Sequence, residues 1–187
     1  MTTTFEERPA PGRLELVRAF VNTRDIDEQT DALTTRDELR AWLSDHDLLG
    51  GGRVTASELA WALEVREAFR ELLVANAAGK GPSPGAIDIL NRAGERCGLA
   101  PRLGADGGAA MAVPTGGMPH AIGSLLEVMY AEMADGRWVR LKACVEHDCH
   151  WAFYDASRNR SSHWCHMGEC GNRSKNRAYY ARRRERG

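Results

Sequence analysis

Cys144-Val145-Glu146-His147-Asp148-Cys149 is followed, after fifteen residues, by Cys165-His166-Met167-Gly168-Glu169-Cys170. Two cysteine pairs, each with four residues between its members, make the pattern of a structural zinc site: each pair can reach one ion from a tight turn, and two pairs complete a tetrahedron. Two disulfides or unrelated core cysteines are the other readings of the same residues. Paired spacing, and the reducing compartment expected for this chain, favour zinc. His147, His150, His163 and His166 crowd the same region and one of them could replace a cysteine, but four thiolates already fill the coordination sphere. Catalytic zinc keeps an open position and this donor set leaves none. One structural Zn2+ per chain is therefore expected, largely responsible for folding so small a module.

Outward from the cysteines, Val139, Leu141 and Ala143 alternate with Arg140 and Lys142, which predicts a strand running from Trp138 into Cys144. Trp151-Ala152-Phe153-Tyr154 predicts its antiparallel partner, with the first cysteine pair at the tip of the hairpin. Asp155 to His163 is a polar loop, the second pair is another turn, and Gly171 to Arg186 predicts a helix. A knuckle on a hairpin plus a ligand pair at a helix start is a treble-clef-like plan. On that helix Arg173, Arg177, Tyr180 and Arg184 fall near one stripe, widened by Lys175, Arg182 and Arg183. Such a stripe can neutralise phosphates, and Asn172 and the arginines can also meet base edges. Arg158, Asn159 and Arg160 in the polar loop add candidate contacts. A solvated charged helix is the plainer reading of any cation run. Here the cations follow a metal module and oppose an acidic body, which favours a nucleic acid. Trp151, Phe153 and Trp164 read as a small hydrophobic core around the metal rather than as stacking surfaces.

The charge distribution supports this division. The 187 residues carry a net charge of −1. From Arg140 onward there are 9 Arg and 2 Lys against 5 acids, whereas residues 1–139 hold 14 basic and 21 acidic residues. An acidic body with a cationic tail is suited to meeting a polyanion at one end. No apolar run approaches the roughly 20 residues that span a bilayer. Met1 to Arg13 contain no signal-peptide h-region, so the cytoplasm is the expected compartment.

The body reads as helices. Leu14, Val17 and Val21 share a face of a short helix reaching about Asn22. Thr35-x-x-Glu38 and Thr55-x-x-Glu58 are capping boxes. The first opens a helix with Leu39, Trp42 and Leu43 inward, ended by Gly50-Gly51-Gly52. The second opens the longest helix, with Leu59, Ala62, Val65, Phe69, Leu72 and Leu73 inward, to about Ala78. Ser83 and Pro84 start a fourth, with Ile87, Leu90 and Cys97 inward, closed by Gly98. Asp106-Gly107-Gly108 between Leu103 and Met111 signals a hairpin. Ile122, Leu125, Leu126, Met129 and Met133 follow helical spacing up to Gly136. There is no Gly-rich phosphate loop, H-E-x-x-H, G-x-S-x-G or distinctive carboxylate pair. His46 and His120 stand alone, Cys97 reads as core, and no catalytic role is expected.

Arg140-Leu141-Lys142-x-Cys144, Asp155-x-Ser157-Arg158-Asn159-Arg160-Ser161, Trp164-Cys165 and Cys170-Gly171-Asn172-Arg173-x-Lys175 resemble the CGNR zinc finger. Phe20-Val21-Asn22-Thr23-Arg24, Leu63-Glu64-Val65-Arg66-Glu67-Ala68 and Ile87-Asp88-Ile89-Leu90-Asn91-Arg92 resemble the ABATE domain that usually accompanies it. The resemblance implies a bacterial, stress-induced transcription regulator whose four cysteines are Cys144, Cys149, Cys165 and Cys170. Ser162-His163 stand where the family often has basic residues before Trp-Cys.

The expected fold is α+β: a mainly helical N-terminal domain with a small β-hairpin over residues 1–136, then the four-cysteine module over residues 137–187 ending in a basic helix. The expected function is DNA binding in transcriptional regulation, with the first domain sensing a small-molecule effector or joining subunits into a homo-oligomer. Asn22 and Arg24 are its candidate ligand residues, a helix-terminal structural role being the alternative. A zinc-dependent protein-interaction module, or an RNA-binding one, is the rival reading.

Overall fold

The structure is a computed structural model that describes residues 9–184, except the side chains of Ala178, Ala181 and Arg182. Glu185 and Arg186, included in the last helix on sequence grounds, lie outside the described residues. The element that organises the fold is α3 (Ala56–Ala78). At about 1.5 Å per residue it is some 34 Å long. It is buried on several sides, through Trp61, Val65, Phe69 and Leu73 and through Ala62, Ala68 and Ala77. Its start is set by the predicted capping box: Thr55 Oγ1 accepts from Glu58 N at 3.2 Å, and Thr55 N donates to Glu58 Oε2 at 2.8 Å. Its end is Gly79 with φ +63, the left-handed cap that only glycine adopts without cost.

Around α3 lie α1 (Leu14–Val21), α2 (Arg36–Asp45), α4 (Pro84–Cys97) and α5 (Gly117–Ala134). The other predicted capping box is present at Thr35 and Glu38. α2 ends earlier than the triple glycine. Asp47, at φ +56, turns the chain, its N–H donates to Ser44 O and Leu48 N–H donates to Leu43 O at 2.8 Å. These two bonds satisfy the last carbonyls of the helix, so the glycines are loop. Ser83 caps α4 as expected, but the inner face is turned by one residue. Ala86, Leu90, Ala93 and Cys97 are buried while Ile87 is 43% exposed. Met133, on the last turn of α5, is also largely exposed.

Three two-stranded antiparallel ribbons complete the described chain. β1 (Arg24–Asp25) and β2 (Thr30–Asp31) form a short ribbon absent from the sequence expectations. The buried Arg66 of α3 pins it, gripping Asp31 with two bonds of 2.8 and 2.7 Å and Thr23 Oγ1 at 3.0 Å. β3 (Ala100–Leu103) and β4 (Ala109–Ala112) are the signalled hairpin, pairing Ala100 with Ala112 and Leu103 with Ala109. β5 (Leu141–Ala143) and β6 (Ala152–Tyr154) are the hairpin of the cysteine module. Trp138–Arg140, expected as strand, is instead a 3-10 turn closed by Arg140 N–H to Arg137 O. That turn tucks Trp138 against Phe69, with ring centroids 6.3 Å apart.

The cysteine hairpin does not stand off from the body. Leu141, Ala143 and Ala152 are fully buried in the same core as α3. Three body side chains also grip its backbone. Asn76 donates to Trp138 O and Leu141 O at 3.1 and 2.9 Å, and Arg70 donates to His150 O at 3.0 Å. Asn22 exchanges two bonds with Ala152 at 2.9 and 2.7 Å. A lone two-stranded ribbon is marginal in water; here the helices supply the apolar face and the polar anchors it lacks. No helix among the described residues is long and apolar enough to cross a membrane.

Candidate metal centre and basic surface

The two cysteine turns meet. Ligand atoms of Cys144, Cys149, Cys165 and Cys170 all lie within 4.8 Å of one another. Cys149 Sγ and Cys165 Sγ are 3.6 Å apart, as are Cys165 Sγ and Cys170 Sγ. Sulfurs bonded to one tetrahedral zinc at about 2.3 Å stand about 3.8 Å apart, so the donor set fits the ion. A disulfide needs about 2 Å, and every cysteine is a free thiol. Each turn has its own brace. Cys144 N–H donates to Trp151 O and Cys149 N–H to Glu146 O, while a π turn over Met167–Gly171 carries Cys170 into α6 (Asn172–Arg184). Trp151 and Trp164 pack against the sulfurs.

The electrostatics of the cluster ask for a cation. Hydrogen bonds from Cys149 and Cys165 pull the Cys144 thiol down to about 3. The bond to Cys144 pushes Cys149 up, and those to Cys144 and Cys149 do the same to Cys165. Burial and the Cys144 charge disfavour a second thiolate at Cys149 or Cys165, and a dication held by the sulfurs would offset that charge. The neighbouring histidines stay outside the cluster. His147 Nδ1 pairs with Asp148 at 2.6 Å, and His163 Nδ1 lies 2.5 Å from Ala77 O.

Next to the metal site, a buried ion pair builds the polar loop. Lys142 and Asp155 side chains are 4% and 0% exposed, and Nζ meets Asp155 Oδ2 at 2.7 Å. The same ammonium donates to Arg160 O at 2.6 Å and Ser162 O at 3.0 Å, which satisfies all three of its donors. Asp155 in turn accepts from Ser157 N, Ser162 N and Ser162 Oγ, each at 3.0 Å. Burial alone would raise the Asp155 carboxyl; Lys142 and the serine donors outweigh it and hold it well below the usual carboxylate range. The result is a loop whose backbone is tied inward while Arg158, Asn159 and Arg160 are exposed.

The cations of α6 divide into two groups. Arg173 forms a two-bond pair with Asp27, at 2.8 and 2.6 Å, and also donates to Cys170 Sγ at 3.1 Å. Arg177 contacts the carboxylate of the buried Glu146 and lies 3.5 Å from Asp148 Oδ2. Lys175, Arg183 and Arg184 are exposed, and like Arg158 and Arg160 they have no ion-pair partner among the described residues. Asn172 is exposed and donates to Gly168 O at 2.7 Å. The side chain of Arg182 lies outside the described residues. Of the two ligand candidates in the body, Asn22 holds the Ala152 backbone, as above, and Arg24 lies 3.6 Å from Glu67. Between the β1–β2 loop and the cysteine turns is a cavity of about 270 Å³, lined by Asp25, Asp27, Glu28, Trp151, Glu169 and Arg173 as well as three of the cysteines. Sequence reasoning gave Asp27 and Glu146 no role. Asp27 meets Arg173 across 146 positions, and no local pattern signals such a contact.

A helical body that carries a four-thiolate knuckle and a cationic last helix is the plan of a zinc-finger protein. The ABATE family model, described as "Putative stress-induced transcription regulator", matches residues 14–136, and the CGNR zinc finger model matches residues 140–183. The chain belongs to the ABATE family and bears a CGNR zinc finger. Both families are of regulator or zinc-finger type rather than enzymes. No curated protein matches the chain.

Proposed function

We propose that the protein regulates transcription by binding duplex DNA through its zinc module. The contacts come from the loop residues Arg158, Asn159 and Arg160 and from Asn172, Lys175, Arg182 and Arg184 on α6, with Arg173 joining by exchange from Asp27, while Arg177 stays on the buried Glu146. In this reading residues 1–136 act as the sensing or subunit-joining part and residues 137–187 as the DNA-binding part. The observation that carries it is the braced loop. A buried lysine–aspartate pair is a costly device for a surface loop, and it holds exposed arginines beside a metal-stapled basic helix. The family's description supports transcription as the process and stress as its occasion.

The test is equilibrium binding of the zinc-loaded protein to random duplex over 50–200 mM salt. The five cations placed on phosphates, Arg158, Arg160, Lys175, Arg182 and Arg184, give a log–log salt slope of about −4.5 if all reach them. Absence of binding at low salt contradicts the proposal. Displacement of the duplex by equimolar RNA redirects it to RNA.

A further inference from the structure

Two arginines of α6 are held by acids, and their surroundings differ. Glu146, the partner of Arg177, has a side chain only 2% exposed. Removing Arg177 from it would strand a buried charge, so that pair is a fixed part of the knuckle. Asp27 and Arg173 are 39% and 41% exposed. Both charges can return to water, so a phosphate can take the guanidinium from the carboxylate without a burial penalty. Asp27 belongs to the loop of the β1–β2 ribbon, which Arg66 anchors to the central helix of the body. Arg173 also donates to a metal-ligating sulfur. A donor of this kind steadies the thiolate and lowers its reactivity. One guanidinium therefore answers to the body, to the metal site and to any polyanion that approaches α6.

We propose that Asp27–Arg173–Cys170 is a latch. Closed, it withholds Arg173 from polyanions and guards the Cys170 thiolate. Open, it hands Arg173 to a phosphate and leaves the zinc more labile. The DNA half rests on the function proposed above; the zinc half does not. Asp27 is thus the means by which the body governs the finger, and a change in the β1–β2 loop would be felt at the metal and at the nucleic acid together.

Asp27→Asn in the full zinc-loaded chain tests it, with Glu28→Gln, which removes a neighbouring charge that Arg173 does not use, as the control. The latch predicts tighter binding of Asp27→Asn to random duplex at 50 mM salt. It also predicts a slope steeper by about 0.9, so that raising salt from 50 to 200 mM costs the variant about 3.5-fold more affinity than wild type. In an Arg173→Ala background the same change should gain nothing. Transfer of zinc to a chromogenic chelator should quicken by about tenfold in Asp27→Asn, matching the lower end of the loss in metal affinity when an outer-shell partner goes. Glu28→Gln should leave the slope and the zinc transfer as in wild type. Wild-type binding that Asp27→Asn matches in affinity and slope overturns the latch, as does an unchanged zinc transfer rate. If wild type binds no duplex, the DNA function falls, and the zinc transfer rate alone decides the latch.

Discussion

Lys142→Met removes the ammonium and keeps the apolar stem, which isolates the contribution of the buried pair. Breaking a buried ion pair by deleting one partner costs about 3–5 kcal/mol. Asp155 keeps three donors, from Ser157 N, Ser162 N and Ser162 Oγ. They offset part of the stranded charge, so the lower end, about 3 kcal/mol, applies. The carbonyls of Arg160 and Ser162 also lose their charged donor. Arg160 is exposed, so water replaces much of that, adding at most about 1 kcal/mol. For a chain of this size about 3–4 kcal/mol lowers Tm by roughly 6–16 °C. Thermal unfolding of the zinc-loaded protein at pH 7, followed by circular dichroism, reads the global effect. Amide exchange at Ser157 and Ser162 reads the loop, which should lose protection. The double variant Lys142→Met/Asp155→Leu should recover much of the loss, because no charge is left buried. A Lys142→Met protein within about 1 kcal/mol of wild type, with both amides still protected, would refute the reasoning.

Three further outcomes follow from the same geometry. The Asp155 carboxyl is held below its ordinary value, so its stabilisation is present above the unfolded value of about 3.9 and fades as pH falls below it. The stability margin of wild type over Asp155→Asn should be constant from pH 7 to about 5 and shrink below about pH 4 in parallel urea titrations. Asn22→Ala leaves the N–H and C=O of the fully buried Ala152 without their partner. A loss of about 2 kcal/mol is expected, and Asn22→Asp, whose second oxygen would face the Ala152 carbonyl, should lose at least as much in the same denaturant midpoints. Burial pushes the Cys97 thiol up to about 11, so it is protonated at neutral pH. Iodoacetamide at pH 7.5 should leave Cys97 unlabelled in the native protein and label it after denaturation, as read by peptide mass.

What the sequence disclosed was the local chemistry. Thr35–Glu38, Thr55–Glu58, Ser83–Pro84 and Gly98 act within four residues of themselves, and all sit at the helix ends they implied. The cysteine spacing likewise encodes its own turns, and the four sulfurs converge. Features that depend on distant partners were hidden. The β1–β2 ribbon has two residues per strand and no alternation of its own; it exists because Arg66 reaches Asp31. Asn22 looked like a polar residue at a helix end, and its partner is 130 positions away. Ile87 was misplaced because Ala86, small and weakly apolar, takes the buried position beside it. Trp138–Arg140 alternates over too few residues to separate a strand from a tight turn, and the packing of Trp138 on Phe69 decides it. The cations of α6 were visible as a stripe, but their division between held and unpaired depends on Asp27, Glu146 and Asp148.

The central claim is that a zinc-stapled knuckle holds a cationic surface in the shape that binds duplex DNA. Its most direct test is fluorescence anisotropy of a labelled random duplex with the zinc-loaded protein, then after chelation, then after zinc is restored. The account predicts binding that weakens steeply with salt, disappears with the metal and returns with it. Binding of equal strength and salt dependence without zinc would contradict it.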